Sequence, residues 1–103
     1  MGKPYELTKA AENDLREVAR YTRERWGLDA LNVYRAGLKK TFLGLTTNSV
    51  TGRYFSSAFP ALQVAKYKYH YIFFVADAGS TPIIIGVIHE KRDILSHLSG
   101  RLS

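Results

Sequence analysis

The chain contains no cysteine, which excludes a disulfide framework and a thiolate metal site. It also has no apolar run approaching the roughly 20 residues that a membrane-spanning helix needs. Residues 1–6 lack the apolar core of a signal peptide, so nothing in the sequence marks the chain for export. We therefore expect a protein that works in the reducing environment of the cytoplasm.

Acidic residues are scarce, with nine Asp and Glu against 15 Lys and Arg, and the formal net charge is +6. Such a surplus on a small domain favours an acidic partner, such as nucleic acid, an anionic membrane surface or an acidic protein. The closest cations form separate pairs and no block of five or six, which argues against a disordered nucleic-acid tail: Lys39–Lys40, Lys66 with Lys68, and Lys91–Arg92. A solvated basic surface without any particular partner explains the same composition.

At 103 residues the chain is predicted to form a single domain, 1–103, with a modest core. Its most prominent stretch is 67–75, whose aromatic and β-branched residues are typical of a strand. Because side chains alternate along a strand, one face is predicted to be apolar and covered: Tyr67, Tyr69, Tyr71, Phe73 and Val75. The other face is expected to meet solvent at its start and to be apolar at its end: Lys68, His70, Ile72 and Phe74.

Two amphipathic helices are predicted before this strand, and a short link makes them a hairpin. Thr8 stands at the N-cap of the first helix, and Gly27 suits the left-handed position that closes it. Asp29 is predicted to cap the second helix, which Gly37 interrupts at a cost of about 1 kcal/mol against alanine. Trp26 is expected to anchor the first of two apolar stripes: Ala11, Leu15, Val18, Ala19, Thr22 and Trp26, then Ala30, Leu31, Tyr34, Leu38, Phe42 and Leu45.

The remaining segments are predicted to complete a small sheet. Three further strand segments are expected: 5–7, 62–65 and 83–88. The segments between them are interpreted as a packed loop and a turn: 46–60 and 77–82. Ile94, Leu95 and Leu98 indicate a short C-terminal helix. The order β-α-α-β-β-β with this helix predicts an α+β fold, in which the helix hairpin packs on one side of a small antiparallel sheet.

No catalytic constellation is evident in the sequence. Ser56–Ser57 lacks the setting of a nucleophile elbow, and the glycines form no phosphate-cradling loop. The three histidines share no close spacing, and no cluster of Asp and Glu completes a metal site. We therefore expect neither an enzyme nor a bound metal or cofactor.

Short motifs follow one another over nearly the whole chain. The first half carries Leu7-Thr8, Ala11, Asp14-Leu15, Tyr21-Thr22, Trp26-Gly27, Ala30, Tyr34, Leu38, Phe42 and Leu45. The second half carries Gly52-Arg53, Pro60, Leu62, His70, Ile72-Phe73, Ile88-His89, Asp93 and His97-Leu98. Together they resemble the ParE branch of the ParE/RelE superfamily, the toxins of bacterial type II toxin–antitoxin modules. The chain departs from the family pattern at Phe74-Val75, where the family usually has Tyr-Arg.

The resemblance implies a toxin that binds and poisons DNA gyrase and is held in check by an acidic, ParD-like antitoxin in a hetero-oligomer. It implies no membrane partner and no sequence-specific DNA binding by the toxin alone. One alternative is a ribosome-dependent mRNA endonuclease of the RelE kind, whose candidate residues are Lys66, Lys68, His70, His89, Arg92 and His97. His70 replaces the arginine of such nucleases, and Leu95-Ser96-His97 stands where they have a tyrosine. A binding module without toxicity is a third interpretation.

Two sets of binding residues are predicted. The C-terminal segment 92–101 is expected to contact the target, because a chain end can dock without disturbing the core: Arg92, His97 and Arg101. Basic and aromatic residues of the sheet and the preceding loop are expected to bind the antitoxin: Lys66, Lys68, His70, Tyr54 and Phe55. A histidine at a strand end is also a common structural residue, so His70 and His89 have a packing interpretation as well.

Overall fold

The computed structural model describes residues 4–76 and 81–101. Its elements are β1 (Glu6–Leu7), α1 (Lys9–Trp26), α2 (Leu28–Thr46), β2 (Arg53–Ser56), β3 (Phe59–Tyr67), β4 (His70–Val75), β5 (Ile83–His89) and α3 (Ile94–Leu98). The strands form one sheet in the order β1-β5-β4-β3-β2, antiparallel except for β1, which is parallel to β5. The predicted α+β fold is confirmed. The predicted loop 46–60 contains β2 and the start of β3, and most of the predicted turn 77–82 lies outside the described residues.

The helix hairpin begins and turns largely where its sequence predicts. The Thr8 hydroxyl accepts a hydrogen bond from the Ala11 N–H at 3.1 Å, which caps α1. Gly27 separates the two helices with a φ of +95°, a conformation that costs glycine little. Asp29 does not cap α2, because the helix already starts at Leu28 and places Asp29 inside its first turn.

The core between the hairpin and the sheet contains most of the predicted stripes. Its buried residues are Ala11, Val18, Tyr34, Leu38, Phe42 and Leu45 from the helices and Ala65, Ile72, Phe74, Ile84 and Val87 from the strands. The stripe of α1 ends in the core at Thr22. Trp26 is 66% exposed, so its predicted role as an anchor is wrong. As the last residue of α1, it lies beyond the part of the helix that the sheet covers.

Gly37 has a packing role that explains its place inside α2. A Cβ at this position would overlap the Tyr67 side chain, which packs against the helix at its hydroxyl end. Tyr67 also stacks edge-on against Tyr34, with ring centroids 5.0 Å apart. The missing side chain of Gly37 thus lets an aromatic ring approach the helix backbone, and this contact offsets the low helix propensity of glycine.

The predicted strand 67–75 is a β-hairpin in the structure. β3 ends at Tyr67, which pairs with His70 across a two-residue turn of Lys68 and Tyr69, and Lys68 has a φ of +49°. Because Tyr67 pairs with His70 across the turn, both lie on the same face of the sheet. In β4 the face under the helix hairpin is therefore that of His70, Ile72 and Phe74, and not the predicted face of Tyr71, Phe73 and Val75. His70, predicted to face solvent, is only 8% exposed and lies under α2 with Ile72 and Phe74.

The second face of the sheet has a core of its own. Leu62, Phe73, Ile85 and Ile88 are buried there with Leu98 of α3, and Tyr71 and Val75 pack against them. The short C-terminal helix is confirmed, with the Asp93 side chain accepting from the Ser96 N–H at its start. α3 therefore covers the face that the hairpin leaves open.

Candidate functional site

A groove of about 960 Å³ lies where the end of the helix hairpin passes over the turn between β3 and β4. The end of α1, the start of α2, the turn and the residues around the end of β5 form its walls. We call it the aromatic groove and define it by the residues used below: Tyr21, Arg25, Trp26, Val33, Tyr34, Lys68, Tyr69, His70, His89, Glu90 and Lys91.

Large apolar side chains are exposed around this groove. Four of them are each more than half exposed, and they come from α1, α2 and the turn between β3 and β4: Tyr21, Trp26, Val33 and Tyr69. Single exposed apolar residues are normal on a protein surface, whereas several around one concave site are typical of a binding site. The groove therefore has the composition of an interaction surface.

The charges at the groove are mainly positive. Arg25 lies over the Trp26 ring at 5.5 Å, and Lys68 and Lys91 also line the groove. Glu90 is the acidic residue of the lining, and Lys66 pairs with it at 3.3 Å. Because this pair neutralises Glu90, the groove presents three cations beside exposed aromatic rings, an arrangement that attracts acidic groups.

The floor of the groove is a hydrogen-bonded pair of ring side chains. The Tyr34 hydroxyl oxygen lies 2.6 Å from His70 Nδ1, and the His89 ring packs edge-on against His70 at 5.1 Å. Burial, with the neighbouring His89, lowers the pKa of His70 to about 4, and burial raises the pKa of Tyr34 to about 12. Both groups are therefore neutral near pH 7, which suits a rigid floor better than proton transfer.

A smaller pocket of about 190 Å³ adjoins the aromatic groove and shares Tyr21, His70 and His89 with it. Arg92 and His97, two of the predicted target-binding residues, line this pocket. Its wall also includes acidic side chains of α1, Asp14 and Glu17. The fold thus brings Arg92 and His97 together next to the aromatic groove.

Arg101, the third predicted target-binding residue, lies in a different setting. Its guanidinium makes two contacts with the Asp14 carboxylate, at 2.7 and 3.2 Å, and donates to the Ile85 carbonyl at 3.1 Å. Asp14 Oδ2 also accepts from the Val87 N–H at 3.0 Å, and both charged side chains are largely buried. We call this set the Asp14–Arg101 corner: Asp14, Ile85, Gly86, Val87 and Arg101. The end of the described chain is therefore tied to α1.

The predicted antitoxin-binding residues fall into two separate places. Lys66, Lys68 and His70 are at or beside the aromatic groove. Tyr54 and Phe55 lie on β2, the edge strand next to β3, outside the groove lining, where Tyr54 is exposed and Phe55 packs on Phe73 at 5.2 Å. The roles of these residues stay predictions. Sequence reasoning missed three groove residues: Tyr21, Trp26 and Tyr69. Trp26 and Tyr69 belong to apolar faces that are predicted to be covered, and Tyr21 is named only as part of a family motif.

Within residues 4–76 and 81–101, no three His, Asp or Glu side chains lie close enough to hold a metal ion. None of the helices in these ranges is both long and apolar enough to cross a membrane.

The sequence matches a protein family over most of its length. The family model described as "ParE toxin of type II toxin-antitoxin system, parDE" matches residues 5–94. A protein from Escherichia coli named Toxin ParE is 36% identical over 98 residues, which cover 95% of each of the two chains.

Proposed function

Because the chain belongs to the ParE toxins of type II toxin–antitoxin systems, we propose that it poisons DNA gyrase by binding it. We propose further that a ParD-like, acidic antitoxin neutralises it in a hetero-oligomer in the cytoplasm. The net charge of +6 favours an acidic partner of this kind.

The observation that supports binding over catalysis is that His70 is buried and has a lowered pKa. An mRNA endonuclease without a metal needs an acid and a base that exchange protons near neutral pH. His70, which stands in place of the arginine of RelE-type nucleases, is buried against Tyr34 and has a pKa of about 4. It is therefore neutral and enclosed, and it makes a poor catalytic group, whereas the exposed apolar groove above it suits a binding protein.

The proposed target-binding residues are Arg92, His97 and Arg101. Arg92 and His97 share the smaller pocket, and Arg92 is exposed to solvent. For Arg101 a contact with the target would have to replace or extend its bonds to Asp14. The proposed antitoxin-binding residues are Lys66, Lys68, His70, Tyr54 and Phe55, of which His70 would act by holding the groove floor.

The experiment compares two activities of the same purified protein. We expect it to inhibit the supercoiling activity of gyrase and to increase cleaved DNA, while mRNA on programmed ribosomes stays intact. An R92A/H97A variant should lose the effect on gyrase, and K39A, which removes an exposed cation of α2 outside this pocket, should keep it. Cuts at defined positions in mRNA with unaffected gyrase would overturn the proposal in favour of the endonuclease.

A further inference from the structure

We propose that the aromatic groove is the docking surface for an acidic segment of the antitoxin. The segment would lay apolar side chains on Trp26, Val33 and Tyr69 and place carboxylates near Arg25, Lys68 and Lys91. The existence of the antitoxin rests on the proposed function, and the location and chemistry of its binding site rest on the structure.

The first support is the position of the exposed aromatic residues. The buried stripe of α1 ends at Thr22, and Trp26 follows one turn later on an uncovered part of the helix. Tyr69 reaches the same groove from the sheet. Trp, Tyr and Arg are the residues that contribute most to binding energy at interfaces, and Arg25 stacks on Trp26. A partner covering this groove would therefore find its anchoring residues already assembled.

The second support is the turn that carries Lys68 and Tyr69. Two-residue hairpin turns favour glycine or asparagine, because one or both residues need a positive φ. Lys68 adopts a φ of +49° without being either of them, and both residues of the turn line the groove. A strained conformation that holds two side chains in a concave site is typical of a functional segment.

The third support is the balance of charge and apolar surface. The three cations have the Lys66–Glu90 pair beside them, so the acidic charge of the groove is already compensated. Besides Tyr34, the wall formed by α2 contributes the aliphatic side chains of Ala30 and Val33, which add apolar surface between the exposed rings. An amphipathic acidic peptide matches both properties, and it would bind an apolar groove through spaced apolar anchors.

This location also gives a mechanism for neutralisation. The aromatic groove shares Tyr21, His70 and His89 with the pocket that contains Arg92 and His97. A segment docked in the groove would cover the approach to that pocket. The antitoxin would therefore prevent target binding by occlusion, without a rearrangement of the fold.

Trp26 provides a direct readout, because it is the chain's single tryptophan. The probe is the purified antitoxin encoded by the reading frame next to the toxin gene, titrated into the full-length toxin without gyrase. We expect the Trp26 emission to shift to shorter wavelength as the exposed indole is covered. Calorimetry on W26A and Y69A should show at least a tenfold weaker Kd, and L43A and K39A, on the other half of α2, should change it less than twofold.

Thermal melts of each variant show whether the fold is kept, and Tyr69 and Trp26 are exposed enough for the fold to survive their removal. Tight binding in the calorimeter with an unchanged Trp26 emission would overturn this site while the toxin–antitoxin pairing stands. Absence of any binding would overturn both. A shift produced by a ten-residue uridine oligonucleotide and not by the antitoxin would overturn the proposal in favour of RNA. Failure of the gyrase assay leaves this titration unaffected.

Discussion

The Asp14–Arg101 corner and the aromatic groove use positive charge in opposite ways. In the corner, one largely buried arginine makes three hydrogen bonds, two to a carboxylate and one to a carbonyl. At the groove, Arg25, Lys68 and Lys91 lie beside exposed aromatic rings, and the acidic neighbour is taken by Lys66. A cation with all its partners inside the chain contributes to the fold, whereas cations held open at an apolar site are available for recognition.

The largest effect is expected from breaking the corner. D14A should lower the free energy of unfolding by about 3–5 kcal/mol, because Arg101 is left largely buried without its counter-charge. The Val87 N–H also loses its acceptor. K91A, at the groove, should change stability by less than about 0.5 kcal/mol. Urea melts of the two variants measure the contrast.

A double variant sharpens this test. D14L/R101M replaces both charges with apolar groups of similar size, and we expect it to recover most of the stability that D14A loses. If D14A and K91A cost the same, the corner and the groove do not differ in the way described above.

The second prediction concerns His70, which lines both the groove and the pocket containing Asp14. Burial and His89 lower its pKa from 6.5 to about 4 in the folded protein, while Glu90 and Asp14 oppose that shift. The folded state therefore binds the proton less well than the unfolded state. The contribution of neutral His70 to the free energy of unfolding is complete above pH 6.5. It falls by roughly 3 kcal/mol as the pH decreases towards 4.

Melts of wild type and H70Q at several pH values test this expectation. The wild type should lose more stability than H70Q between pH 6.5 and 4, and both should change alike between pH 7 and 8. Equal slopes below pH 6.5 would contradict the assignment of a buried neutral His70.

The third prediction tests how closely the corner is packed. A Cβ at Gly86 would lie 2.8 Å from Arg101 Nη1 and 3.4 Å from Asp14 Oδ2. G86A should therefore displace the guanidinium and cost about 1–3 kcal/mol. Combining G86A with R101A should cost much less than the sum of the two single changes, because both act on the same contact. Strict additivity in a double-mutant cycle would show that the glycine does not serve the ion pair.

The smallest effect is expected at the turn of the groove, and its sign is opposite. K68G should stabilise the fold by about 1 kcal/mol, since glycine adopts the positive φ without the penalty of a side chain. The same change should weaken antitoxin binding, because it removes one of the groove cations. K9G, at the exposed start of α1, gives a control for a lost cation without the turn. A fold that loses stability in K68G would contradict the strain at this turn.

The general fold could be predicted from the sequence because its signals are local. Thr8 before an apolar stripe predicts the start of α1, and Gly27 predicts its end. The apolar run 83–88 predicts β5. The turn at Lys68–Tyr69 was missed because neither residue is a usual turn former, and the aromatic alternation continues through it. β2 was missed because its four residues lie among the glycine, serine and proline residues of a segment with loop composition.

The candidate site was only partly predictable, because its contacts join distant parts of the chain. Asp14 and Arg101 are 87 positions apart, and no local pattern marks them as partners. Trp26 has the right spacing for a core residue, yet the helix extends past the sheet at that point. Lys68 and His70 both line the groove, but the burial of His70 depends on α2, which no strand pattern reveals.

The hydrogen bonds of the Asp14–Arg101 corner have a consequence for solubility. β1 pairs with β5 only at Ile83 and Ile84, so within the described residues no strand accompanies that side of β5 further along. Asp14 and Arg101 occupy the backbone groups of Val87 and Ile85 there. An open strand with free N–H and C=O groups is a template for pairing with another chain. The ion pair therefore occupies backbone groups that an added strand would need, and its loss would leave the Val87 N–H without an acceptor, while the Ile85 carbonyl keeps the Thr8 hydroxyl as a donor.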